Sequence, residues 1–167
     1  DFGGGGIWGS VGGAGEWVNW YTQNGGTAAF VKTTLDGLTV GKFSQTPTAV
    51  NSYAKFQPWH DFVDLSGYRY LNFRVKNPSY ANLKMKIELN DGTRTYNLTG
   101  GWVSVPTTWT DLAYNLDALT PAVNKKKAVI SIWLNQTAVG YGEMFIDEIK
   151  ATNVASGTAP TLSAISV

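Results

Sequence analysis

At 167 residues the chain is long enough for one domain that buries about two-thirds of its unfolded surface. A formal net charge of +1 excludes the general attraction that drives binding to nucleic acid or anionic lipid, and no apolar run is long enough to cross a membrane as a helix. Nineteen Gly, seven Trp and eight Tyr against 15% charged residues favour a turn-rich β protein, and the absence of Cys excludes disulfides.

Residues 1–15 hold eight glycines around Phe2, Ile7 and Trp8, a composition that cannot sustain a helix. No signal-peptide pattern opens the chain, so Asp1 is expected to be a processing boundary. Residues 16–21, EWVNWY, read as a short strand or aromatic loop closed by Asn24-Gly25-Gly26. Two β-branched runs, 27–35 and 38–44, meet at Asp36-Gly37, a dipeptide that accepts positive φ and so makes a tight hairpin. Residues 50–57 alternate weakly up to Pro58, with Trp59 and His60 just beyond.

The next runs alternate more strictly. In VDLSGYRYLNFRVKN, residues 63–77, Leu71, Phe73 and Val75 oppose Tyr70, Asn72, Arg74 and Lys76. Leu83, Met85, Ile87 and Leu89 then oppose Lys84, Lys86 and Glu88, and Asn90-Asp91-Gly92 turns the chain into 94–98. Residues 109–116 give another strand and 121–127 a polar bend.

The stretch 128–150, AVISIWLNQTAVGYGEMFIDEIK, reads as two strands joined as a hairpin by a Gly- and Asn-containing connection. Ala128, Ile130, Ile132 and Leu134 supply its core face; Ser131, Trp133 and Asn135 supply the other. A large aromatic among small polar groups on a sheet marks a contact surface. In the second strand the alternation fails at Asp147-Glu148, where carboxylates need solvent or a cation.

About ten evenly spaced strands and no helix predict an all-β fold, an antiparallel β-sandwich (jelly roll). Its core is expected to hold Leu71, Phe73, Val75, Leu83, Met85, Ile87, Ile130 and Ile132. The sandwich is expected to span 1–154, with 155–167 a linker or the start of a following module.

These runs, with WTDLAYNLDAL, AVISIWLN and GEMFIDEIKAT, resemble carbohydrate-binding modules of the galactose-binding-like β-sandwich type. Families 11, 4 and 16, appended to bacterial glycanases, are the ones they are similar to. The resemblance covers Asp1 to about Asn153; Asp1-Phe2 resembles the Asp-Phe-Glu opening of such modules, and Ile146-Asp147-Glu148-Ile149 their Ile-Asp-Asp-Ile ending. The position that is acidic in the family opening is Gly3 here, which removes one metal ligand.

The resemblance implies a secreted, extracellular and monomeric accessory module, linked to a glycoside hydrolase and partnered by a polysaccharide or oligosaccharide. It also implies structural calcium at the point where first and last strands meet. Asp1 and Asp147 match those positions, with Glu148 in reserve and carbonyls of the turn 25–27 completing the oxygen shell.

Sugar binding needs flat aromatic area for the C–H face of a pyranose, and paired hydrogen-bonding groups for its hydroxyls. The polar faces offer Asn72, Arg74, Lys86, Glu88, Arg94, Tyr96, Ser131, Trp133 and Asn135, expected to line one open groove on neighbouring strands. Among the aromatics placed near loops (Trp17, Trp20, Tyr21, Tyr53, Trp59 and Trp102), Trp20 and Tyr53 are the expected contacts. Trp109 is expected in the core and His60 at a turn or rim. A groove on a twisted sheet suits a single soluble chain of β-glucan, mannan or galactan type.

Catalysis has little to work with. A glycosidase needs two carboxyl groups at controlled separation, whereas Glu88 stands alone on the expected groove with Asp91 in a nearby turn. A lone His, no Cys and no GxSxG motif argue against nucleophilic triads and zinc. The competing reading is a structural or adhesion module whose aromatics serve domain contacts.

Overall fold

The computed structural model describes residues 17–23, 25–58, 62–78 and 81–157, with backbone alone at 18–20. The strands in chain order are β1 (Trp17–Thr22), β2 (Thr27–Leu35), β3 (Leu38–Thr46), β4 (Ser52–Pro58), β5 (Tyr70–Lys76), β6 (Leu83–Asn90), β7 (Thr95–Asn97), β8 (Val103–Ser104), β9 (Thr110–Asn115), β10 (Val129–Gln136) and β11 (Gly142–Thr152). They form two antiparallel sheets. The first runs β1-β4-β10-β6-β7, with β8 also on β6; the second runs β2-β3-β11-β5-β9. This is the expected sandwich, with one more strand than the sequence indicated: the two-residue β8 is too short to leave a periodic signal. No helix among the described residues is long and apolar enough to cross a membrane.

Local turn chemistry and tertiary pairing divide the connections. Asp36 and Gly37 sit at φ 54 and 77 and close the β2–β3 hairpin, with Leu35 opposite Leu38 as expected. The other expected hairpin is corrected. β10 lies in the first sheet, against β4 and β6, whereas β11 lies in the second, against β3 and β5. The connection between them therefore crosses the sandwich. Only β2–β3 and β6–β7 are neighbours both in the chain and in a sheet among the described strands.

All eight residues named for the core are at most 1% exposed. Phe43 organises the aromatic part, with Trp17 and Phe56 edge-on at 5.3 Å each and Phe30 at 4.9 Å. Trp17, grouped by sequence with the loop aromatics, is thus a core residue. Trp109 moves the other way. It is only partly buried, its Nε1 donates to Asp36 Oδ2 at 2.9 Å, and Arg74 and Lys76 lie over its ring at 5.4 and 5.7 Å. The strand it precedes begins one residue later, so the core alternation of β9 does not extend to it.

Asp91 ties the β6–β7 turn to the polar bend. Its carboxylate accepts the backbone N–H groups of Thr93, Arg94 and Asn124 at 2.7–3.1 Å, and the Tyr96 hydroxyl at 3.2 Å. Those donors, the Asn124 N–H foremost, hold its pKa down at about 2. A depressed carboxylate contributes stability that is fully present above its ordinary value near 4, and loses it as pH falls through about 2. Acid unfolding followed by tryptophan fluorescence should therefore begin at higher pH in Asp91→Ala, with less change in stability between pH ~4 and ~2 than in the parent.

Candidate functional site

The outer face of the first sheet gathers the strongest set of exposed aromatic and polar groups, and register explains how. Trp133 stands opposite Lys55 of β4 on one side and Lys86 of β6 on the other. A side chain facing away from the core on β10 is thus flanked by outward side chains of both neighbours. Tyr53, Lys55 and Gln57 follow from the alternation of β4; Lys84, Lys86, Glu88 and Asn90 from that of β6.

Tyr21 joins them by a different device. The β1–β4 register shifts between Asn19 and Tyr21, so that Tyr21 pairs with Lys55 rather than following the inward parity of Trp17. A bulge inserts one residue and re-aims every side chain after it. Here it delivers a tyrosine, 47% exposed, to the sheet face.

Trp133 is the centre of the cluster. Its Nε1 donates to Glu88 Oε2 at 2.7 Å, while Lys86 Nζ bonds Glu88 Oε1 at 2.6 Å. The Lys86 and Lys55 ammonium groups stand 4.7 and 5.3 Å from the indole centroid. Tyr21 and Tyr53 each approach it edge-on at 6.4 Å, and Tyr53 stacks on Trp102 at 5.8 Å. The indole is held by a hydrogen bond and two cations, and therefore presents one orientation to a ligand. Burial pulls the Lys55 pKa below the usual lysine value, an effect partly offset by the nearby Glu88 charge.

A recess of about 290 Å³ opens beside this cluster, lined by Lys55, Gln57, Glu88, Asn90, Thr95 and Ser131 together with Phe62 and Val129. That is the lower end of ligand-pocket sizes, enough for a sugar-sized group among convergent polar atoms. Asn135 lies on the same face but is only 7% exposed. Its Oδ1 accepts no hydrogen bond among the described residues, a state that costs about 1–3 kcal/mol unless a donor reaches it.

The structure brings some of the residues expected to line the groove onto one face and separates the others from it. Trp133, Lys86, Glu88, Tyr53 and Asn135 share the face. Asn72 and Arg74 do not, because β5 belongs to the second sheet and its outward residues face the opposite side of the molecule. Asn72 is buried there, donating to Thr152 Oγ1 at 2.6 Å and accepting the Ser156 N–H at 2.9 Å, which fastens the segment at the end of β11 to β5. Arg74 pairs with Asp147 Oδ2 at 3.0 Å. Tyr96 points inward at 7% exposure and serves Asp91. The Trp20 side chain, Trp59, His60 and Asp1 lie outside the described residues, as does the chain beyond 157.

Sequence reading passed over Lys55 and Gln57, and placed Tyr21 and Trp102 near loops without choosing them as contacts. The weak alternation of 50–57 carried the first two, whereas the bulge that exposes Tyr21 leaves no periodic trace.

No protein-family model and no curated protein sequence matches the chain. Solved structures do. The family 11 carbohydrate-binding module of the cellulosomal cellulase Lic26A-Cel5E of Clostridium thermocellum matches with a TM-score of 0.55 at 15% identity, over 83% of this chain and 88% of that one. A family 30 carbohydrate-binding module gives 0.54 at 16%, over 82% and 80%. The module TmCBM27, described for specific mannan recognition, gives 0.50 at 14%, over 81% and 86%.

The fold is that of the β-sandwich carbohydrate-binding modules. Family 11, one of the three that the sequence resembles, is among them. On the aromatic face Glu88 is the single carboxylate at the outward strand positions among the described residues, and both its oxygens are engaged. Among the described residues the face thus combines aromatic surface with hydrogen-bonding groups, and its outward strand positions hold no second carboxylate.

The metal expectation fares differently. The Asp147 carboxylate is held by Arg74, a cation that opposes a second cation at the same oxygen. No group of three or more acidic or histidine side chains gathers there among the described residues. The described side chains therefore do not by themselves form a calcium shell.

Proposed function

We propose that the chain is a non-catalytic carbohydrate-binding module that holds a single chain of a soluble polysaccharide across the outer face of the first sheet. The observation that carries this reading is the convergence of Tyr21, Tyr53, Trp102 and Trp133 on one face, with hydrogen-bonding groups between and beside them. Aromatic rings supply apolar area at little entropic cost, and Gln57, Glu88, Asn90 and Ser131 supply donors and acceptors to hydroxyls. The fold shared with such modules supports the same reading. Tethering a linked glycoside hydrolase outside the cell is the role such binding serves.

Affinity electrophoresis tests the reading directly. Native gels containing β-glucan, mannan, galactan or acidic polysaccharides should retard the protein in at least one case. Retardation should disappear in a Tyr53→Ala/Trp102→Ala double variant whose melting curve shows that it is folded. Unchanged mobility in every gel leaves the aromatics as contacts to a neighbouring domain.

Calcium is a separate proposal with its own test. An ion at Asp147 has to displace Arg74 and draw on oxygens such as those of Asp1. Binding to the native state alone raises the melting temperature by mass action. The expected result is a lower melting temperature in chelator, abolished in Asp147→Ala; coincident curves in calcium and chelator dispose of the ion.

A further inference from the structure

We propose that the polysaccharide held on the first sheet carries single-sugar side branches, and that the recess beside Trp133, with Phe62 in its wall, takes the branch. This rests on the sugar-binding reading and narrows the class of chain that the face serves.

The aromatic surface runs across the strands. Register places Tyr21 beside Lys55, Lys55 beside Trp133 and Trp133 beside Lys86, one row that crosses β1, β4, β10 and β6. The Trp102 ring lies 5.2 Å from Lys86 Nζ and stacks on Tyr53, which extends the same surface. Three strand spacings make the row about 14 Å long, room for a short run of sugar residues laid across the sheet.

The recess lies off this row. Ser131, only 4% exposed, lines its floor; it stands two residues before Trp133 on β10 and so about 7 Å away along the strand. Two features open the space. Ser131 is a small side chain beside a large one on the same face. Its partner on β6, Glu88, has both oxygens drawn toward the aromatic row, to Trp133 Nε1 and Lys86 Nζ. Beyond Ser131 the face continues with Val129 opposite Asn90, whose Nδ2 donates to Thr95 Oγ1 at 2.9 Å and holds the far rim.

Displacement along a strand is at right angles to the row. A linear chain that follows the aromatic row therefore passes the recess, whereas a sugar attached to the side of that chain points into it. The volume of about 290 Å³ suits one sugar rather than a long branch.

The lining matches such a guest. Gln57, Ser131, Asn90 and Thr95 offer hydrogen-bonding groups to hydroxyls, and Phe62 and Val129 offer apolar surface to a pyranose C–H face. Phe62 carries the inference furthest. It is 55% exposed, so its ring serves the core little, and it lines the recess rather than the aromatic row, where stacking of a linear chain does not account for it.

The test uses the intact chain and isothermal titration with three matched pairs of soluble oligosaccharides. These are manno-oligosaccharides with and without single galactosyl branches, gluco-oligosaccharides with and without single xylosyl branches, and galacto-oligosaccharides with and without single arabinosyl branches. In at least one pair the branched member should bind about three- to tenfold more tightly. Phe62→Ala, and Thr95→Tyr, which fills the recess, should each bring that ratio close to one while the melting temperature stays near that of the parent. Trp133→Ala should weaken both members and keep the ratio. Equal binding of branched and linear members in every pair overturns the branch and leaves sugar binding intact. A Phe62→Ala loss as large for the linear member as for the branched one overturns it too, because the recess then takes the chain itself. Failure of every oligosaccharide to bind removes the sugar-binding reading and the branch with it.

Discussion

Phe43→Ala is expected to lower folding stability by about 3–5 kcal/mol, the largest effect of any single truncation considered for the core. Phe43 is fully buried and touches three other rings, one from β1, one from β2 and one from β4. Removing its ring deletes the transfer free energy of a large apolar side chain and leaves a cavity whose walls belong to both sheets. Those walls cannot close without shifting one sheet against the other, so relaxation recovers little. Urea unfolding should show a lower midpoint with an unchanged slope, which separates a loss of stability from a change in cooperativity. Val139→Ala, at a site 61% exposed, should stay within about 0.5 kcal/mol of the parent. A Phe43→Ala midpoint equally close to the parent would mean that the rings do not hold the sheets together.

Trp133→Ala should weaken polysaccharide binding roughly five- to thirtyfold, equivalent to about 1–2 kcal/mol of stacking and apolar burial. The structure sharpens why. The indole is not a lone platform; it also fixes Glu88 through Nε1 and is bracketed by Lys55 and Lys86. Its loss frees Glu88 and both lysines to adopt other rotamers, so hydrogen bonds to hydroxyls weaken along with the stacking. Trp133→Phe separates the two contributions. It keeps an aromatic surface but has no N–H for Glu88, and should recover part of the affinity. Calorimetric titration together with a melting curve for each variant decides this. Parental affinity in folded Trp133→Ala would move the binding site away from β10.

What was legible in the sequence follows from how far each signal reaches. Period-two alternation is local, and it placed Leu71, Phe73, Ile87 and Ile132 inside and Trp133 outside without reference to any other strand. The Asp36-Gly37 turn was equally local. Sheet membership is not. Asn72 and Lys86 share the same outward pattern on adjacent strands of the chain, yet face opposite sides because the connection between β5 and β6 crosses the sandwich. The same limit produced the mistaken hairpin at 128–150. Tyr21 was hidden by a bulge, and Tyr96 was hidden by its hydroxyl: an inward tyrosine reads as a polar-face residue until Asp91 is seen to receive it.

The scarcity of contiguous strand pairs has a kinetic consequence. Seven of the ten successive strand-to-strand steps pass from one sheet to the other, so most ladders join segments that are distant in the chain. β10, the strand carrying Trp133, must find β4, more than seventy residues earlier, as well as β6. Each such closure costs chain entropy before its contacts repay it, which puts sandwiches of this kind in the millisecond-to-second range of folding times. The aromatic face around Trp133 is therefore assembled late, after both sheets have met, and anything that binds it adds its free energy by slowing the unfolding of a finished face rather than by speeding its formation.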